Sequence, residues 1–129
     1  MNEELRVRSV ELNDVNAFLE TILTSMGISV MVLDRRLQVQ IWNAHSRELW
    51  GLTAEEAEGH HVFELDIGLP VEALRAPLKA CLSGKSEREE LVLDAVNRRG
   101  KAFRCGVVCM PLSGPQAVSG VIVMMEARA

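Results

Sequence analysis

The hydrophobic pattern of this chain changes period at Gly27, and the two halves demand different structures. Before it, Leu5, Leu12, Leu19 and Met26 recur every seven residues in a stretch free of Pro and Gly, the d seam of a coiled coil. After it, short runs rich in Val, Ile and Leu alternate with turn residues, as strands do. The chain therefore reads as a helix over 1–27 followed by a sheet-based domain over 28–129.

With those residues at d, the a positions are Asn2, Ser9, Asn16 and Leu23. Polar a residues cost stability, but a buried Asn pairs best with its own copy, which favours a parallel dimer in fixed register. Leu5, Leu12, Asn16, Leu19, Ile22, Leu23 and Met26 are the expected contacts with a second chain. Val15 and Ile22 widen the stripe, which leaves open a helix docked on its own sheet instead. Pairing is the expectation, because short helices rarely stand alone in water.

In the second half, Ile28–Leu33 and Leu37–Trp42 flank the polar turn Asp34-Arg35-Arg36, which predicts an antiparallel hairpin. Ala44–Trp50 is a short helix stopped by Gly51. Thr53, with Glu56 three residues on, makes a capping box for another helix that ends at Gly59. Residues 60–68 read as irregular or a single helical turn. Pro70 opens a longer helix to Leu82 with Leu74, Leu78 and Leu82 on one face, and Pro77 within it predicts a kink. Glu87–Val96 and Lys101–Met110 pair across Asn97-Arg98-Arg99-Gly100, and Pro111 is expected to end the second of them. Ala117–Ala127 is the last strand. Strands around a helical insert imply an α+β fold: a five-stranded antiparallel sheet with short helices on one face.

At 129 residues, with 48% hydrophobic and 25% charged, the chain is sized for one core. Its net charge of −4, with both signs interspersed, offers no basic stripe for nucleic acid. No apolar run approaches the length that crosses a bilayer, and the charged start MNEELRVRSVEL lacks a secretory core, so a cytoplasmic location is expected. Three cysteines, Cys81, Cys105 and Cys109, contain no CxxC pair. On an extended strand Cys105 and Cys109 stand about 13 Å apart, too far to share a metal ion, so they read as buried small apolar residues. No nucleophile elbow, phosphate loop or HExxH helix is present, and no enzymatic role is expected. His45, followed by Glu48 in a short helix, lacks the helical hairpin a kinase phosphoacceptor needs.

Leu33-Asp34, Trp42-Asn43-Ala44, Glu48-Leu49-Trp50-Gly51, Gly59 and Asn97-Arg98-Arg99-Gly100, in that order and spacing, resemble the PAS domain family over about residues 28–126. The stretches NEELRVRSVELNDVNAFLETIL, VQIWNAHSRELWGL, LDIGLPVEALR and LDAVNRRG are similar to one PAS subgroup. That subgroup follows an Asn-Glu-Glu-Leu-rich coiled coil in bacterial chemotaxis methyltransferase–methylesterase fusions and sensory-box histidine kinases. The resemblance implies a regulatory module of a longer signalling protein, with its kinase or methyltransferase domains elsewhere. Such a module senses a small ligand or redox state in a pocket between sheet and helices and relays it through a dimeric coiled coil. The alternative is a ligand-free dimerisation and relay module whose pocket is filled.

Three ligand classes follow from the resemblance. Photoactive flavin members carry a Cys in the motif Gly-x-Asn-Cys-Arg-Phe-Leu-Gln; here Gly59-His60-His61-Val62-Phe63-Glu64-Leu65 places Val62 at that Cys. Adduct photochemistry is thereby excluded, while redox flavin stays open, with Trp50 able either to stack on the ring or to fill the core. Haem members take an axial His from the long helix, and Pro70–Leu82 has none; His60 and His61, just before it, read as exposed polar residues. The third class is a small apolar or carboxylate ligand, or no ligand, which is the expectation. Its lining would come from Trp50, Leu74, Leu78, Cys81, Val92, Phe103, Cys105, Val107 and the final strand.

Finally, residues 30–33, 107–110 and 121–125 are continuous apolar runs, so both faces of those strands need cover. Either the N-terminal helix or the sheet of a second copy, through Ile122 and Met124, would supply it on the outer face.

Overall fold

The computed structural model describes residues 18–113 and 117–128. Five strands, β1 (Ser29–Asp34), β2 (Val39–Trp42), β3 (Glu89–Val96), β4 (Ala102–Ser113) and β5 (Val118–Arg128), form one antiparallel sheet in the order β2-β1-β5-β4-β3. Between β2 and β3 come helices α1 (Ala44–Trp50), α2 (Ala54–Ala57) and α3 (Arg75–Leu82), with 3-10 turns at Val62–Glu64 and Val71–Leu74. The helical segment covers one sheet face, so the α+β expectation holds.

Local chemistry sets most boundaries. The Asp34 carboxylate accepts from the backbone N–H of Arg36 (2.8 Å) and Gln38 (3.0 Å), building the hairpin turn. Leu37 is held at φ 63 by that turn, so β2 starts at Val39 rather than at Leu37. Asn43 caps α1, and Gly51 (φ 81) ends it by donating to Arg47 O at 2.8 Å. Both hydrogen bonds of the Thr53–Glu56 capping box are present, and the backbone N–H and hydroxyl of Thr53, both donating to the exposed Glu56 carboxylate, hold its carboxyl below the ordinary range.

Two prolines act differently from expectation. Pro77 does not kink a long helix: a 3-10 turn covers Val71–Leu74 and α3 begins at Arg75, which places Pro77 in the first turn. There its missing N–H has no intrahelical partner to lose. Pro111 does not end β4, which runs on to Ser113. The pairing of β4 with β3 stops at Cys109, so at Pro111 the strand has a neighbour on one side only, Val121 of β5.

The core lies between the sheet's inner face and the helices. Met31, Leu33, Val39, Val62, Leu74, Leu78, Val107, Val121, Val123 and Met125 are wholly buried there, each large aliphatic contributing roughly 1.5–3 kcal/mol by leaving water. Residues 18–25 are helical, while Leu5, Leu12 and Asn16 of the expected seam lie outside the described residues. Docking of this helix on its own sheet is not observed: Leu19, Ile22 and Met26 are exposed and Leu23 is half-buried. Gly27 (φ 70) turns the chain directly into β1, and the helix meets the domain through Glu20 instead.

Candidate functional site

The inner face gathers most of the side chains expected to line a pocket. Leu74, Leu78, Cys81, Cys105 and Val107 are at most 1% exposed, and Trp50 is 6% exposed. Phe103 is half-buried, its ring 5.9 Å from that of Trp50 at 35°. Val92 is not among them. Leu91 and Leu93 pair with Val107 and Cys105, so β3 turns its odd-numbered residues inward and leaves Val92 exposed on the outer face.

All three thiols are free and buried, with the Cys81 sulfur 3.5 Å from Cys109 O. Burial pushes the Cys105 thiol up to about 11 and Cys109 to about 12, and raises Cys81 as well. These are inert groups at neutral pH. Among the described residues no cluster of three His, Cys, Asp or Glu could hold a metal ion. His60 is exposed, and the half-buried His61 accepts from Phe63 N–H at 3.2 Å as the cap of a 3-10 turn. Val62, where a photoreactive Cys would fall, is wholly buried. An isoalloxazine ring needs partners for two carbonyls and an N–H along one edge. The buried polar side chains, Ser29, Asn43 and Ser46, are committed elsewhere, so the described residues fit that ring poorly.

That commitment is a polar node which the sequence did not suggest. Asn43 Oδ1 accepts from the N–H groups of Val30 (2.9 Å) and Ser46 (3.0 Å) and from the Ser46 hydroxyl (2.7 Å). Its Nδ2 donates to Ile28 O at 3.0 Å. Ser46 Oγ also lies 3.2 Å from Val30 O, and the Ser29 hydroxyl is 2.9 Å from His45 Nδ1. The start of α1 and the start of β1 are thus one unit. An Asn immediately before a helix was the available signal.

The outer face carries a continuous apolar band. Strand register lines up Ile41, Val32, Ile122 and Met110 in one row across four strands, and Val30, Met124 and Val108 in the next. Ile41 is 53% exposed, and the remainder are half-buried. At the β3 side the band gives way to charge: Arg88 pairs with Glu90 at 2.6 Å, which lowers the Glu90 pKa. A cleft of about 150 Å³ opens there above Gly106, between Val108, Met124 and Arg128.

A family model described as PAS fold matches residues 23–128. Among solved structures, the PAS domain of an HTR-like protein from Haloarcula marismortui superposes with a TM-score of 0.67 at 17% identity, over 95% of this chain and 99% of that one. The PAS domain of the histidine kinase ThkA gives 0.62 at 18% identity over 77% and 97%. A light-oxygen-voltage domain studied with a flavin analogue gives 0.63 at 14% over 84% and 83%. At such identities these likenesses establish fold alone. Sheet order, helical insert and a family match across the whole described domain agree: the chain belongs to the PAS fold family.

Proposed function

We propose that this chain is the sensing and relay module of a longer bacterial signalling protein, working as a parallel homodimer. Its output domain, of the histidine kinase or chemotaxis methyltransferase–methylesterase type, lies outside the 129 residues, and the module catalyses no reaction itself. The observation that carries this reading is the outer face. The row Ile41, Val32, Ile122 and Met110 leaves apolar surface in water, and in the helix that precedes β1, Phe18, Leu19, Ile22 and Met26 are 37–66% exposed. Contiguous exposed apolar surface of this kind marks an interaction site. A second copy supplies matching surface on both helix and sheet, and the seam through Leu5, Leu12 and Asn16 continues the contact. A small molecule on the inner face would change sheet packing and, through the Asn43 node, the base of the helix. The module acts in the cytoplasm; none of the described helices is long and apolar enough to cross a membrane.

Sedimentation velocity tests the reading. The chain should run as a dimer, and Ile122→Asp with Met124→Asp should shift it to monomer. A monodisperse monomer at high concentration for the unchanged chain would sink the proposal.

The complete burial of Met31, Leu33, Leu74 and Leu78 favours a second reading, a relay module without ligand. Absorbance and non-denaturing mass spectra of freshly purified protein separate the two. A bare polypeptide mass and spectrum support the relay, and an added mass supports the sensor.

A further inference from the structure

Trp50 closes α1 with its side chain buried, and its Nε1 is the only buried side-chain nitrogen or oxygen among the described residues without a hydrogen-bond partner. Trp42 shows that the fold satisfies a buried indole where an acceptor is near: its Nε1 donates to Leu52 O at 2.7 Å. An unpaired N–H in the interior forfeits the hydrogen bond it had in water, and native proteins rarely carry one.

The surroundings specify the missing acceptor. Phe103 stands against the Trp50 ring, Ala95 pairs with Phe103 in the sheet, and Cys105 follows along the same inner face. A water molecule needs two to four polar partners. The buried polar side chains, Ser29, Asn43 and Ser46, are all engaged around β1 and the opposite end of α1. A carboxylate leaves water only for a charged or multiply hydrogen-bonded partner, and none of the described Lys, Arg or His residues is buried. What fits is a neutral acceptor carried on an apolar body. Cover over this region is thin as well. α3 lies against β4 and β5, so the inner side of β3 is lightly covered, and Leu49, Leu91, Leu93 and Phe103 are only half-buried.

We propose that the Trp50 indole N–H is the donor of a small-molecule site between α1 and the inner face of β3 and β4. Its ligand is a neutral, mainly apolar molecule with one carbonyl-type acceptor. This rests on the ligand-holding half of the function proposed above and narrows it, setting aside carboxylates and flavins.

The test is a titration of the ¹⁵N-labelled chain, read at the two indole cross-peaks, with acetophenone, isopropylbenzene and benzoate as probes. The Trp50 peak is the one missing from Trp50→Phe. Acetophenone should move it downfield and saturably, binding at least tenfold more tightly than isopropylbenzene, which has similar shape without the acceptor. Benzoate should have no effect, the Trp42 peak should stay in place, and Trp50→Phe should weaken acetophenone at least tenfold. Equal affinity for ketone and hydrocarbon, preference for benzoate, or an unmoved Trp50 peak overturns the proposal. If Trp50→Phe fails to fold, seen as a collapsed Trp42 peak, the ranking of the three probes on the unchanged chain decides alone. The two proposals fail separately. A monomer that binds acetophenone in this way loses the relay and keeps the site; a dimer indifferent to all three probes does the reverse.

Discussion

The Glu20 carboxylate accepts a 2.9 Å hydrogen bond from the backbone N–H of Ala44. Ala44 opens α1, where that amide has no partner within the helix, so the contact satisfies an orphan donor and places negative charge at a helix start. It also joins the helix of residues 18–25 to the domain at a point 24 residues away in sequence. Glu20→Ala should therefore raise amide hydrogen exchange in residues 18–25 several-fold while changing overall stability by less than about 1 kcal/mol. Unchanged exchange in that segment would show the contact to be incidental.

Asn43 is a larger dependency. Its side chain satisfies Val30 N–H, Ser46 N–H and Ile28 O in a buried setting. Asn43→Ala removes a helix cap and orphans a donor and an acceptor at β1, so urea unfolding should show a loss of about 2–4 kcal/mol. Asn43→Asp keeps the acceptor and loses the donor to Ile28 O, and should fall between the two.

The thiols predict an alkaline limit. A free thiol ionises near 9.0, whereas burial pushes Cys105 to about 11 and Cys109 to about 12. Above the unfolded value the unfolded chain holds fewer protons than the native one. Stability is thus complete below about pH 9 and declines as pH rises from there through about 11 to 12. The chain has no Tyr to titrate in this window. The urea midpoint should hold steady from about pH 7 to 8.5 and fall beyond about 9.5. A flat profile to about pH 11 would contradict the buried assignment.

Gly68 accepts from Val96 N–H at 2.9 Å, and a Cβ on Gly68 would lie well inside contact distance of Val96 O. Backbone cannot yield as a flexible side chain can. Gly68→Ala should cost at least about 2 kcal/mol in thermal or urea unfolding, through displacement of the end of β3.

Pro77→Ala, by contrast, should change stability by less than about 1 kcal/mol, because the first turn of α3 tolerates proline. A loss of several kcal/mol would restore the kinked-helix reading.

Features carried by neighbours in sequence were legible in advance. The Asp34-Arg35-Arg36 turn, the Gly51 stop and the Thr53–Glu56 box each complete their chemistry within six residues, and each stands where expected. The four-residue spacing of Leu74 and Leu78, and strand alternation at Cys105 and Val107, placed these four in the core. Features set by the far side of the molecule were not legible. Pro111 runs through β4 only because β3 has already ended, and Val92 faces outward because of its register with Gly106. The unpaired Trp50 N–H depends on what lies opposite it in space, and no spacing rule reports that.

α1 is seven residues long, about 10 Å from end to end. Trp50 sits at one end, and at the other Ala44 holds the Glu20 carboxylate. A rod so short and capped at both ends tilts as a whole rather than bending. The Ser46 hydroxyl, resting on Val30 O one turn in, is its fulcrum. With Ser46 nearer the Ala44 end, an indole pushed by about 1 Å would swing the far end by about half as much, and the helix of residues 18–25 is tied to that far end through Glu20. Under the proposed function, one short helix would be the lever that joins the interior to the N-terminal helix.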